Sequence, residues 1–231
     1  MRAILFTTIL FMISSLLAQE ANPIKRLNFV QGEVIDVIVS TPFAHTSSLI
    51  ERYKEPAFPV AFEYSYQLQP SFEIEELILG NYKPRYIIFG KWKNMDLREA
   101  FLANIVDRVP DFHEQRKAIF DGFKLTYFEI DEEIDAYIDT DKYNVVTSLW
   151  RNEKESFESF LNSWNQDIQE KGGKHLVRLD NGKSPIGYGY APDLLFVTQW
   201  ESKDHFEKFL DQNPLSSYSD LKDVHQFSII K

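Results

Sequence analysis

The chain has 231 residues, a formal net charge of −10 and no cysteine. The acidic charge argues against nucleic acid and anionic membranes as partners. The lack of cysteine excludes disulfides, thiolate nucleophiles and cysteine-ligated metals. Hydrophobic residues make up 44% of the chain and aromatic residues 15%, a composition typical of a packed globular protein and not of a disordered chain.

Residues 1–18 have the pattern of a secretory signal peptide. Arg2 gives a positive start, an apolar run extends from Ala3 to Leu17, and Ala18 offers a small residue for cleavage before Gln19. The alternative is a membrane anchor, but the run is at the short end of the ~17–25 residues that a membrane-spanning helix needs. We therefore predict cleavage after Ala18 and export, to a periplasm or out of the cell, with no membrane contact afterwards.

The rest of the chain contains an internal repeat. At an offset of 108 residues, the segment GKWKN at 90–94 aligns with TQWES at 198–202. The same offset places VIVS at 37–40 on VVTS at 145–148. Matches in the same order, each on the same kind of predicted element, indicate that one structural unit occurs twice.

The second copy gives the clearer pattern of elements. A β-branched run at 144–150 predicts a strand, and apolar residues at helical spacing predict a helix that is capped by Asn152 and ends at Gly172. The remaining predicted elements are strands at 174–179, 194–200 and 226–230 and a helix that starts after Ser202. The order strand, helix, strand, strand, helix, strand is that of the ferredoxin-like unit.

The first copy repeats this order, with strands predicted at 33–40, 72–79, 86–92 and 123–130. Pro56 and Pro59 fall where its first helix is expected. Because proline breaks or kinks a helix interior, we expect a helix over 47–54, a kink and a second short helix. The predicted domains are the first repeat at 28–131, an acidic surface linker at 132–143 and the second repeat at 144–231.

Strands such as LLFVTQW carry apolar residues at both odd and even positions, so both faces of each sheet should be buried. Helices cover one face, and the sheet of the other copy is the obvious cover for the second face. We therefore predict an α+β fold in which two tandem ferredoxin-like β-α-β-β-α-β units pack sheet to sheet as an intrachain α/β barrel. No homo-oligomer is required to complete such a barrel.

The duplicated segments YIIFGKWKNMDLREAFL and LLFVTQWESKDHFEKFL resemble the strand-to-helix segments of the dimeric α/β-barrel superfamily in a tandem, single-chain form. The resemblance covers nearly all of residues 28–231. That superfamily includes cofactor-independent monooxygenases, haem-dependent enzymes, isomerases and stress-responsive proteins. The resemblance implies the architecture and not one function, and no functional residue of these families is carried over.

The sequence has no GxSxG, HxH or HExxH motif, and we predict neither a cofactor nor a metal site. A ligand site is expected between the two sheets or at a barrel mouth. Its predicted residues are polar or titratable side chains near otherwise apolar strands: His175, Arg178, Tyr188, Tyr190 and His225. The alternative is that Arg178 and the histidines face solvent, because a one-residue error in register reverses every assignment.

Three functions fit these features. The first, which we expect, is binding of a small, largely apolar molecule without turnover. The second is a cofactor-independent monooxygenase-like or isomerase-like enzyme, which needs only a histidine or tyrosine base in a dry site. The third is a non-catalytic interaction module.

Overall fold

The computed structural model describes residues 22–152, 156–185, 187–215 and 218–230. The predicted signal peptide at 1–18 lies outside these ranges, so export stays a prediction. The elements of the first half are β1 (Ile24–Phe29), β2 (Val34–Pro42), α1 (Ser47–Glu63), β3 (Gln67–Leu79), β4 (Tyr86–Trp92), α2 (Met95–Arg108), α3 (Phe112–Ile119) and β5 (Phe120–Glu129). Those of the second half are β6 (Ile134–Asp139), β7 (Tyr143–Arg151), α4 (Phe157–Glu170), β8 (Lys174–Asp180), β9 (Leu194–Trp200), α5 (Lys203–Gln212) and β10 (Leu221–Ile230).

Eight of the strands form one antiparallel sheet in which each repeat keeps the ferredoxin-like strand order. The first repeat contributes β5-β2-β4-β3, the second contributes β10-β7-β9-β8, and β3 pairs with β10 to join them. The two outer edges meet where Tyr127 of β5 forms a bridge with Lys183, through backbone hydrogen bonds of 2.8 and 2.9 Å. The strands therefore form a nearly closed barrel, which confirms the predicted tandem α/β fold.

The interior of this barrel is a packed apolar core to which strands of both repeats contribute. Val37 and Phe89 of the first repeat and Val146, Val197 and Phe227 of the second are all fully buried in it. Outside the barrel, α1, α2 and α3 cover the first-repeat sheet, whereas α4 and α5 cover the second-repeat sheet. Space for a ligand must therefore be sought under the helices or at the barrel ends.

The segment at 132–143, predicted as an acidic linker, does join the repeats, but half of it is strand β6. This strand pairs antiparallel with β1 and forms a separate two-stranded sheet. Its alternate residues Ala136 and Ile138 are buried in the barrel core, while Asp135 faces outward and pairs with Arg26 at 2.6 Å. The period-two alternation within IDAYID is the strand signal that its acidic composition concealed.

Helix α1 continues through Pro56 and Pro59, so the expected division into two helices is wrong. Both prolines are exposed, and the helix buries its opposite side. The carbonyl groups that lose their helical partners belong to Arg52 and Glu55, which are also exposed, so water can satisfy them. None of the helices in the described ranges is long and apolar enough to cross a bilayer.

The two repeats match in their third strands as predicted, but their first strands are shifted by one residue. Trp92 pairs opposite Val34 in the first repeat, and Trp200 pairs opposite Tyr143 in the second. The first strands therefore correspond at an offset of 109 and not of 108. A shift of one residue exchanges the two faces of a strand, so Asp36 corresponds to Val145.

Candidate functional site

A cavity of about 360 Å³ lies between the outer face of the first-repeat sheet and helices α1 and α3. We call it the first-repeat cavity. Its floor includes Ile38 of β2 and Ile88 of β4, and α1 contributes Ala57 and Ala61 to its roof. Aromatic side chains form much of the rest of its wall: Tyr53, Phe58, Tyr66, Tyr86, Trp92, Phe101, Phe112, Phe120 and Phe123.

The local sequence explains why this space stays open. Helix α1 buries only Ala57, Val60 and Ala61, and the two alanines are too short to reach the sheet. Ile38 and Ile88 remain half-buried in the middle of the sheet because they face this space and not a side chain from the helix.

One end of the cavity is defined by a buried ion pair. Asp36 accepts a hydrogen bond from Trp92 Nε1 at 2.9 Å and another from Arg98 Nε at 2.7 Å. Arg98 also lies over the Tyr127 ring, with its guanidinium carbon 3.7 Å from the ring centroid. Among the described residues that line the cavity, Asp36 is the only carboxylate. Both of its oxygens therefore already accept hydrogen bonds.

Tyr66 closes this end by packing on Gly90. A Cβ atom at residue 90 would overlap the Tyr66 ring, so glycine is needed for the close approach. The ring centroid of Tyr66 lies 4.8 Å from that of Trp92. Burial, followed by the nearby Asp36 charge, raises the pKa of Tyr66 well above its ordinary value, so its phenol is neutral at physiological pH.

The opposite end of the cavity is formed by Arg116 of α3. Its Nε donates to the Tyr53 hydroxyl at 2.8 Å, and its Nη1 donates to the Tyr188 hydroxyl at 2.7 Å. Tyr188 comes from the β8–β9 connection, so both repeats contribute here. Burial raises the pKa of Tyr53, and the positive charge of Arg116 offsets only part of that increase.

Ser40 adds a polar group to the floor of the cavity. Its side chain is 0% exposed, and its Oγ has no hydrogen-bond partner within the described part of the chain. Ser40 pairs across the sheet with Phe123, on whose ring Arg116 stacks at 4.8 Å. Ser40 and Arg116 therefore lie toward the same end of the cavity.

Of the five residues predicted from the sequence, Tyr190 and His225 lie together at a barrel mouth. The Tyr190 hydroxyl is 2.9 Å from both Ser148 Oγ and His225 Nδ1, and His225 Nε2 donates to the Tyr82 carbonyl at 2.8 Å. Burial lowers the pKa of His225, so it is neutral at physiological pH. Tyr82, Tyr190 and His225 border a pocket of about 130 Å³ that Lys124 also lines.

The other three predicted residues lie elsewhere. Tyr188 contacts Arg116, as described above. His175 is half-buried on the outer face of the second-repeat sheet, with its ring 5.4 Å from that of Phe196. Arg178 is exposed and pairs with Asp180 at 2.8 Å. The five residues thus occupy separate places, and their contact with a ligand stays a prediction.

The sequence analysis missed the polar residues of the first-repeat cavity. Asp36, Ser40 and Arg98 correspond to Val145, Leu149 and Phe206 of the second repeat. A polar residue aligned with an apolar residue of the other copy marks Arg98 at the predicted offset of 108, but it marks Asp36 and Ser40 only at the offset of 109 that their strands adopt. Within the described ranges, no three histidine, aspartate or glutamate side chains are grouped as metal ligands.

No family model and no curated protein matches the chain, but solved structures do. An anthrone oxidase-like protein superposes with a TM-score of 0.51 at 14% identity, over 89% of this chain and 94% of that chain. A chlorite dismutase variant from Candidatus Nitrospira defluvii gives 0.48 at 9% identity, over 88% and 93% of the two chains. A proposed monooxygenase from Lactobacillus acidophilus gives 0.42 at 11% identity, over 87% and 94%. At such identities the likeness concerns the fold alone: this chain has the ferredoxin-like fold of the dimeric α/β-barrel proteins.

Proposed function

We propose that this protein binds a small, largely apolar molecule in the first-repeat cavity. The observation that carries the proposal is the cavity itself, about 360 Å³ with a mainly aromatic and aliphatic wall. That volume is within the range of roughly 300–1,000 Å³ that ligand pockets occupy. A few polar groups at its two ends would fix the orientation of a ligand, as polar groups usually do in pockets with apolar walls.

The second repeat supports this proposal by contrast. The position of Ile88 is occupied there by Phe196, whose ring lies 5.8 Å from that of Trp164 on α4. Both side chains are buried, and together with Phe209 they fill the space between helix and sheet. The same architecture can therefore close this space, so the opening in the first repeat results from its particular side chains.

Catalysis without a cofactor is the alternative, and the polar groups at the cavity favour binding over it. A monooxygenase-like or isomerase-like reaction needs a group that accepts a proton from the substrate. Asp36 already accepts from Trp92 and Arg98 through its two oxygens. Tyr53 and Tyr66 have raised pKa values, which makes both phenols poor bases at neutral pH.

The proposed binding is tested with N-phenyl-1-naphthylamine, a neutral apolar probe that fluoresces when it leaves water. The unmodified protein should bind it, and Ala57→Phe should weaken binding at least about tenfold by filling the cavity, a loss of about 1.4 kcal/mol. The matched control is Ala103→Phe, the same change at an exposed position of α2. Equal affinity in the two variants, or no binding to the unmodified protein, would overturn the proposal.

We also propose that this binding takes place after export, on the basis of the sequence of residues 1–18. N-terminal sequencing of the protein from periplasm or medium should begin at Gln19. Recovery of the intact chain in the membrane fraction would indicate an anchor instead.

A further inference from the structure

Arg116 differs from the other arginines of the described chain in its partners. Seven arginines lie within 4.0 Å of a carboxylate: Arg26, Arg52, Arg85, Arg98, Arg108, Arg151 and Arg178. Arg116 has no carboxylate at that distance within the described ranges, and its recorded hydrogen bonds go to the phenols Tyr53 and Tyr188.

This arrangement leaves a permanent charge without a counter-ion in an apolar setting. The guanidinium carbon lies 4.1 Å from the Phe112 ring centroid and 4.8 Å from that of Phe123. Arginine remains protonated in proteins, and its planar fork carries five N–H donors. Two of these donors are used, so the group retains both the charge and the donors to bind an anion.

Ser40 provides a second, independent sign of a ligand at the same end. Its hydroxyl is fully buried, borders the cavity and has no partner among the described residues. Buried polar groups in folded proteins are nearly always hydrogen-bonded, so an unpaired hydroxyl in the cavity wall is suited to a ligand oxygen.

The surface outside Arg116 offers an approach for an anion. An open groove is lined by His113, Arg116, Lys117, Phe120, Phe123, Gly187 and Tyr188, with no acidic residue among them. Arg116, Phe120 and Phe123 also line the first-repeat cavity, so the groove meets the cavity at Arg116. In a chain of net charge −10, such a groove is a local route for a negatively charged molecule.

We infer that the ligand of the first-repeat cavity is an apolar acid, with its anionic oxygens bound by Arg116 and Ser40 and its apolar body extending toward Trp92. This inference rests on the proposed function and specifies the class of ligand. Asp36 and Ser40 are four residues apart on β2, which corresponds to roughly 13 Å along the strand. The apolar body is therefore limited to about that length, and the carboxylate at the far end disfavours a second anionic group.

The test compares two probes that differ by one sulfonate: 8-anilinonaphthalene-1-sulfonate and the neutral N-phenyl-1-naphthylamine. The unmodified protein should bind the anionic probe at least about tenfold more tightly. Arg116→Met should remove that preference and leave the affinity for the neutral probe within about threefold, and Arg116→Lys should keep much of the preference. Arg151→Met removes an exposed positive charge that does not line the cavity and should change neither affinity.

A second measurement needs no variant. Decanoate should displace the neutral probe from the unmodified protein at a concentration at least about tenfold lower than decan-1-ol does. Equal displacement by the acid and the alcohol, or a preference for the sulfonate that survives Arg116→Met, would overturn the inference while leaving apolar binding intact. Failure of the neutral probe to bind at all would instead overturn the proposed function.

Discussion

The two repeats share a fold but differ in how they use the space between sheet and helices. Trp92 and Trp200 occupy equivalent, buried positions. Around them, the second repeat packs Phe196 against Trp164, whereas the first repeat has Ile88 facing a cavity. One copy is thus a filled hydrophobic core, and the other combines an open cavity with buried polar groups.

The difference extends to charge. Asp36 and Arg98 form a buried ion pair at 2.7 Å in the first repeat, and the equivalent residues Val145 and Phe206 are apolar and buried in the second. Buried ion pairs are often no more stabilising than the well-packed apolar residues that can replace them. The first repeat therefore carries features that stability alone does not require, which is the pattern expected of a functional site.

The largest effect is expected from breaking that ion pair. Asp36→Val should lower the free energy of unfolding by about 3–5 kcal/mol, because Arg98 loses its buried carboxylate and Trp92 Nε1 loses its acceptor, while only the exposed carboxylate of Glu99 remains beside Arg98. The double variant Asp36→Val/Arg98→Phe copies the second repeat at these two positions and should recover part of this loss; Trp92 Nε1 still lacks the acceptor that Thr198 gives Trp200. Denaturant unfolding measures both, and a double variant as unstable as the sum of its single changes would show that the copies are not interchangeable here.

Truncation at equivalent strand positions should separate the filled repeat from the open one. Phe196→Ala should cost about 3–5 kcal/mol, because it removes a fully buried ring from a packed core. Ile88→Ala should cost about 2 kcal/mol or less, at the low end for a buried aliphatic residue, because part of this side chain already faces open space. Similar midpoint shifts in denaturant for the two variants would contradict the distinction.

The barrel mouth between the repeats should make stability depend on pH. Burial lowers the pKa of His225 below its unfolded value of about 6.5; the hydrogen bond to the Tyr82 backbone opposes part of that decrease, and the smaller effects of Lys124 and Asp223 lower and raise the pKa respectively. The unfolded chain then binds more protons, so this stabilisation is complete above pH ~6.5 and is lost as the pH falls through the folded pKa. His225→Asn should flatten the decline of the unfolding free energy between pH 7.5 and 5, and a slope equal to that of the unmodified protein would contradict this assignment.

The smallest effect is expected at the equivalent starts of α2 and α5. Asn94 Oδ1 accepts from the Leu97 backbone N–H at 3.0 Å, whereas the Ser202 hydroxyl bonds His205 Nδ1 at 2.8 Å and caps no backbone group. Asn94→Ala should therefore cost about 1 kcal/mol and Ser202→Ala less than that. The reverse order of thermal midpoints would contradict the assignment of the caps.

The sequence was sufficient for the architecture because strand alternation and helical spacing repeat along the chain. It was insufficient for the cavity because its location depends on which face of β2 turns outward. At an offset of 108 residues, Asp36 aligns with Asn144 and Ser40 with Ser148, so the contrast with Val145 and Leu149 does not show, and no local pattern fixes that register. The open space itself comes from two alanines of α1. Pro56 and Pro59 had predicted that this helix would be divided in two.

The predicted site illustrates the same limit. Tyr190 and His225 meet because β10 and the β8–β9 connection converge at one barrel end, which the predicted topology implied. His175 lies on the outer face under α4, and Arg178 pairs with Asp180 on the surface. Nothing in the local sequence distinguishes Arg116 from other helix-face cations; only its tertiary partners do.

The most direct test of ligand binding in the first-repeat cavity is a titration of isoleucine-methyl-labelled protein with N-phenyl-1-naphthylamine, followed by NMR. The methyl signals of Ile38 and Ile88, which line the cavity, should shift as the probe saturates. Those of Ile168 and Ile229, buried in the second repeat and the barrel core, should stay in place. Shifts at Ile168 or Ile229 with none at Ile38 and Ile88 would contradict the proposed site.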